Sequence, residues 1–215
     1  MLYEQVGVNM KLQISFDMAD LDQALIVAQQ VVDQCDSFAI GNTLLCTYGI
    51  ELLRVFRTKF PQKTLLLDTK LACNTDIIPL IAQTDMQWIT ILAGSPNETI
   101  RALCKEAHKH NLKVMLDLFD SSYKAQSAME AKNLGADALL FYQPYQQDLV
   151  LNFQDTWDMI KSNASLPLYI SAEINRENLD SIIPLKPHGM IIGTSITQAK
   201  DPSSEAQYYY NILKG

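Results

Sequence analysis

Along this chain, short apolar runs bounded by turn residues alternate with stretches in which apolar residues recur at helical spacing. Leu12 to Asp17 has strand character, and Asp20 then caps a helix whose apolar positions are Leu21, Leu25, Ala28, Val31, Val32 and Cys35. Phe38 to Ile40 forms a second strand, closed by Gly41-Asn42-Thr43, and a helix follows from about Tyr48 to Lys59, where Pro61 stops it. The third strand is the stretch Thr64 to Cys73. Pro79 lies in the next helix, about Thr75 to Gln83, and costs about 3 kcal/mol unless it sits in the first turn.

Trp88 to Leu92 is the fourth strand. Ser95-Pro96-Asn97-Glu98 then has a capping-box pattern and opens a helix to about His110. Strand five is Val114 to Leu118, followed by a helix from Ser121 or Ser122 to Leu134-Gly135 and by strand six, Ala138 to Tyr142. The longest irregular connection, 143–151, leads to a helix from about Phe153 to Lys161 and to strand seven, Leu166 to Ser171. Asn175 caps a helix to about Ile183, Met190 to Ile192 is strand eight, and a last helix runs from about Pro202 to Leu213.

Eight strands alternating with eight helices predict an α/β protein of (β/α)8 TIM-barrel architecture in a single domain, residues 10–215, after an N-terminal extension at 1–9. A length of 215 residues suits one such domain, and 48% apolar with 19% charged residues excludes a disordered chain. The formal charge of -7 argues against non-specific binding to nucleic acid or to an anionic membrane. No apolar run approaches the ~18 residues of a membrane span. The four cysteines, Cys35, Cys46, Cys73 and Cys104, show no C-x-x-C spacing, which predicts reduced thiols and a cytoplasmic protein.

Chemistry in such a barrel belongs at the C-terminal ends of the strands. Three apolar runs end there in a carboxylate: Asp17, Asp68 and Asp117. A period of two sends Leu66, Asp68 and Lys70 to one face, so an ammonium joins the carboxylates, and such a lysine can protonate or stabilise a carbanion. Tyr142 and Ser171 lie at neighbouring ends. Ile192-Gly193-Thr194-Ser195-Ile196 suits a phosphate loop, with Gly193 allowing close approach and Thr194 and Ser195 adding hydroxyls; a plain strand-to-helix turn accounts for it equally well. The strand-seven loop, Ser171-Ala172-Glu173-Ile174, puts an anion where a phosphate would sit. His108 and His110 read as solvated helix-end residues, His188 as a residue of the barrel's lower side, Cys73 as a small filler and Tyr208-Tyr209-Tyr210 as helix packing.

Lys11-Leu12-Gln13-Ile14-Ser15-Phe16-Asp17, Ile40-Gly41, Asp68-Thr69-Lys70, Leu134-Gly135-Ala136-Asp137 and Ile192 to Thr197 with Asp201-Pro202 together resemble the orotidine 5'-phosphate decarboxylase superfamily. The likeness is to its group of 3-hexulose-6-phosphate synthase and 3-keto-L-gulonate-6-phosphate decarboxylase. The resemblance implies a homodimeric barrel acting on a sugar phosphate through an enediolate stabilised by Mg²⁺. It implies that Asp68 is a metal ligand, that Lys70 sits beside the enediolate, that Asp17 orients substrate, and that Asp117 holds the acidic place of strand five.

Four positions depart from the family pattern. Ala39 stands in place of a metal-binding glutamate, Cys73 in place of a second aspartate that reaches the partner subunit's site, Tyr142 in place of a histidine, and Ala172-Glu173 in place of paired glycines that bind phosphate. The expectation is a divergent carbon–carbon lyase of the hexulose-6-phosphate synthase type. The alternatives are a ketogulonate-phosphate decarboxylase-like enzyme and a non-catalytic barrel that keeps the fold and the dimer.

Overall fold

A computed structural model describes residues 9–143 and 150–215. The connection expected at 143–151 and the extension at 1–9 therefore lie almost entirely outside the described residues. Eight strands close into a parallel barrel in chain order: β1 (Lys11–Phe16), β2 (Ser37–Ile40), β3 (Thr64–Leu71), β4 (Trp88–Leu92), β5 (Lys113–Asp117), β6 (Ala138–Tyr142), β7 (Leu168–Ser171) and β8 (Gly189–Ile192). The helices are α1 (Leu21–Val31), α2 (Asn42–Tyr48), α3 (Glu51–Lys59), α4 (Ile78–Ala82), α5 (Asn97–Lys109), α6 (Lys124–Leu134), α7 (Val150–Asn163), α8 (Leu179–Ile182), α9 (Thr194–Thr197) and α10 (Pro202–Lys214).

Two apolar layers follow from the period of two. Ile14, Phe16, Phe38, Ile40, Leu65 and Leu67 face outward under the helices and are fully buried. Phe16 meets Phe38 edge to face at 5.1 Å, and Phe38 meets Phe60 at 5.3 Å, which locks β1 and β2 to the end of α3. Ala39, Leu66, Met115, Ala138, Leu140, Tyr169 and Ile191 face inward as a smaller core. On the β1 side this inner face is polar: Ser37 Oγ donates to Gln13 Oε1 at 2.9 Å.

Several expected elements are re-cut by local chemistry. The helix expected over Tyr48 to Lys59 forms as α3 from Glu51, and the turn expected at Gly41-Asn42-Thr43 instead opens an extra short helix, α2, parted from α3 by Gly49 at φ +68°, a conformation glycine adopts without steric cost. Pro79 is tolerated because Thr75–Ile77 is a separate 3-10 turn and Pro79 falls in the first turn of α4. The capping box at Ser95 does not form: Pro96 occupies the cap position, and Ser95 Oγ instead donates to the Ala72 carbonyl at 3.1 Å. Asn175 Oδ1 accepts from the backbone of Glu177 and Asn178, closing a turn that delays α8 until Leu179. Asp20 and Asp201 cap α1 and α10, accepting from Gln23 N and Ser204 N at 3.0 Å.

The largest irregularity lies at the end of β3. Leu67 pairs with Ile89 and Leu71 with Ile91, so four steps along β3 answer two along β4, and Lys70 within the surplus adopts φ +46°. This is a bulge in the sense that extra residues leave the ladder and re-aim their side chains.

The barrel's lower side is tightly closed at Gly189, where a Cβ would lie 2.6 Å from the Tyr169 ring and 3.0 Å from the Lys11 carbonyl. Gly189→Ala is therefore expected to destabilise the fold by about 1–3 kcal/mol, read as a lowered urea midpoint at unchanged slope. An unchanged midpoint would show that the ring has room to move.

Candidate active site

At the C-terminal mouth of the barrel a pocket of about 310 Å³ opens. Ala39, Leu66, Met115, Leu140 and Ile191 contribute apolar wall, while Asp17, Asp68, Lys70, Asp117 and Tyr142 contribute charge and hydroxyl. The residues singled out from the sequence on β1, β3, β5 and β6 thus converge on one cavity, and Ser171 of β7 joins them.

Lys70 is its electrostatic centre. Its ammonium lies 2.6 Å from Asp68 Oδ2 and 3.4 Å from Asp117 Oδ2. Burial draws the Lys70 pKa down, but the two carboxylates outweigh it and hold the ammonium above its ordinary range. Asp117 is fully buried at the end of β5. Burial pushes its carboxyl up to about 6, against the opposing pull of Lys70 and of the Phe119 N–H that donates to Asp117 Oδ1 at 2.9 Å. A carboxyl at that value can take and return a proton near neutrality.

Asp17 is anchored differently. Its Oδ1 accepts from Thr43 N, at the start of α2, at 3.0 Å, and a Cβ on Gly41 would come within 2.7 Å of it, so glycine there is what lets the carboxylate lie against the helix start. Tyr142 packs edge to face on the half-exposed Phe119 ring at 5.4 Å. Burial and, after it, the nearby Glu173 carboxylate raise the Tyr142 phenol, which keeps it protonated and able to donate.

The expected phosphate residues stand apart from this group. Gly193, Thr194, Ser195, Ala172 and Glu173 lie on the loops just beyond the ends of β7 and β8 and do not line the pocket. Ala172 is fully buried, and Ser195 Oγ is committed to the Ile174 carbonyl, so neither offers a free side-chain donor. The N–H groups of Thr194 and Ser195, by contrast, make no hydrogen bond among the described residues and remain open to an anion. Glu173 is exposed at φ +51°, its carbonyl held by Asn178 Nδ2 at 3.2 Å.

The donor set does not fit the inner-sphere Mg²⁺ implied by the resemblance. Asp68, the expected ligand, gives one oxygen to the Lys70 ammonium and accepts from Thr90 Oγ1 at 2.7 Å on the other. The Lys70 ammonium stands between Asp68 and Asp117, where it repels a second cation, and β2 offers only the methyl of Ala39. Among the described residues no three His, Cys, Asp or Glu side chains are grouped to hold a metal.

Other expectations are corrected by position. Cys73 is exposed and does not line the pocket, so it fills no space there. His108, exposed, and His110, partly exposed, sit at the end of α5 as expected and in addition pair with Asp137 at 2.8 Å and Glu106 at 3.0 Å. Among the described residues no helix is long and apolar enough to cross a membrane. Among the polar and aromatic pocket residues, Thr90, Gln13, Ser15, Asn42 and Phe119 escaped the sequence reading. The first two had a signal, each being a polar residue at an inward position of an apolar strand. Gln13 is 3% exposed, and its Nε2 has no partner among the described residues, leaving one buried donor on the pocket wall unspent.

Residues 10–209 match the model of the family described as orotidine 5'-phosphate decarboxylase / HUMPS. The 3-hexulose-6-phosphate synthase of Bacillus subtilis (strain 168) is 24% identical over 208 residues, 95% of this chain and 99% of its own. That of Staphylococcus haemolyticus (strain JCSC1435) is 23% identical over 211 residues, 96% of this chain and 100% of its own. Among solved structures, 3-hexulose-6-phosphate synthase from Salmonella typhimurium shares the fold at a TM-score of 0.84 and 23% identity, over 95% of this chain and 98% of that one. KGPDC from Streptococcus mutans does so at 0.81 and 22%, over 95% and 97%.

The buried Asp117 carboxyl gives stability a pH signature. With a folded value of about 6 against 3.8 ordinarily, Asp117 is neutral in both states below the lower value and is ionised at a cost in the fold above the upper one. Stability relative to Asp117→Asn is therefore expected to fall by up to about 3 kcal/mol as pH rises through that window. Urea unfolding of both proteins at several pH values measures it, and parallel profiles would refute the assignment.

Proposed function

The chain belongs to the orotidine 5'-phosphate decarboxylase / HUMPS family, and from that premise we propose that it is a divergent carbon–carbon lyase of the hexulose-6-phosphate synthase type. The reaction in view is aldol condensation or cleavage of a ketose phosphate with formaldehyde. The observation that carries it is Lys70, held charged beside Asp68 and Asp117 in the barrel-mouth pocket. Loss of a proton from the carbon beside a ketone moves an electron pair onto the carbonyl oxygen, and an ammonium already in place stabilises that oxyanion without reorganising. The enediolate carbon then bonds to formaldehyde, whose oxygen takes up a proton. Asp117, titrating at about 6, is suited to carry protons in this exchange, and Asp17 to orient a substrate hydroxyl.

No step is routed through Mg²⁺, because the donor set disfavours it. For the substrate phosphate the reading takes the open N–H groups of Thr194 and Ser195, with Gly193 admitting close approach. A ketogulonate-phosphate decarboxylase-like reaction would use the same lysine and the same enediolate. The working unit in this reading is a homodimer, a view supported by the exposed Phe119 and Tyr123 rings on the loop after β5, beside the pocket mouth. A reducing, cytoplasmic setting belongs to the same reading.

One observation favours a second reading, a non-catalytic barrel: Glu173 places an anion on the loop where the phosphate is needed. A single experiment separates the two. Ribulose 5-phosphate in D₂O with the wild-type protein is expected to exchange its C1 proton, followed by proton NMR, and to consume formaldehyde when it is added. Lys70→Ala and Asp68→Ala should each slow exchange by at least about a hundredfold. Absence of both exchange and binding in the folded wild type would leave the non-catalytic reading standing.

A further inference from the structure

We infer that Thr90 is the positioning residue of this site: its hydroxyl and carbonyl together shape the end of β3 so that Lys70 enters the pocket between Asp68 and Asp117. The inference builds on the reading of Lys70 as the group that meets substrate, but its test needs no substrate, so either can fail alone.

Three successive residues of the β3 bulge are tied to this one residue of β4. Thr90 Oγ1 donates to Asp68 Oδ1 at 2.7 Å, Thr69 Oγ1 donates to the Thr90 carbonyl at 2.7 Å, and Lys70 N donates to Thr90 Oγ1 at 2.8 Å. The direction of these bonds is set by chemistry. An ionised carboxylate accepts only, so the single hydroxyl proton of Thr90 points at Asp68, and a lone pair is left to receive the Lys70 N–H. One hydroxyl is thereby used as both donor and acceptor.

Each bond does something a regular strand end would not. The bond to Asp68 Oδ1 fixes the carboxylate so that Oδ2 faces the Lys70 ammonium. The bond from Lys70 N supplies an acceptor to an amide that the bulge removes from the ladder, and it helps hold a non-glycine residue at φ +46°. Thr90 is 1% exposed, so water does not readily replace the hydroxyl. Asp117 is held separately, by Phe119 N, with no bond to Thr90.

The test uses the full chain with Thr90→Val, which keeps the shape without the hydroxyl, and Thr90→Ser, which keeps the hydroxyl. The readout is the ¹⁵N signal of the Lys70 ammonium at mildly acidic pH, assigned by its loss in Lys70→Arg. An ammonium held by carboxylates exchanges its protons slowly enough to be seen. The signal is expected in the wild type and in Thr90→Ser, and broadened beyond detection in Thr90→Val although that variant still unfolds cooperatively. A signal retained in Thr90→Val, or absent in the wild type, overturns the inference. Should Thr90→Val fail to fold, hydrogen exchange at the Lys70 amide decides: protection of at least about tenfold in both wild type and Thr90→Ser is required. Less than that in either protein refutes the role.

Discussion

A partly buried lysine ammonium at the mouth of an apolar barrel depends on nearby carboxylates to offset the cost of its burial. Lys70 meets that condition through Asp68 and Asp117, the three side chains being 36%, 22% and 1% exposed. The condition is unevenly shared. Lys70 is pushed toward its charged form, whereas the more deeply buried Asp117 is pushed toward its neutral one. Closely packed groups with opposed tendencies are the usual raw material of proton transfer.

The fold supplies this arrangement through two anchors outside the triad. Asp117 is held by the turn that leaves β5, through the Phe119 N–H. Asp68 and Lys70 are held by the irregular pairing of β3 with β4. Asp17, on the opposite side, is steadied by the first turn of α2. Each functional side chain thus sits on a strand end whose backbone is fixed by a neighbouring element, and placement at this mouth depends on the closure of all eight strands.

The family relationship and the local chemistry pull in different directions. Matching over residues 10–209 shows the family, and the fold is shared with a solved 3-hexulose-6-phosphate synthase. Ala39, Tyr142 and Glu173 alter the metal, proton and phosphate positions that the resemblance assigns. What remains in place is the lysine with its carboxylates. The unspent Gln13 amide on the pocket wall is a further difference in what a ligand would meet there.

The sequence by itself determined the strand and helix alternation, hence the barrel, and the identity of the charged strand ends, because a period of two and an apolar run are local properties. It also carried the conflict at Glu173. It did not determine the extra helix α2 ahead of Gly49, the loss of the Ser95 cap or the length of α8, since each depends on which of several competing hydrogen bonds forms. Only the tertiary structure decided that Lys70 reaches the pocket from a bulge at positive φ instead of a regular strand, and that Thr90 supports it. Those facts arise from pairing between β3 and β4, some twenty residues apart, where one threonine meets three neighbours at once, and nothing in the local pattern around Lys70 encodes that meeting.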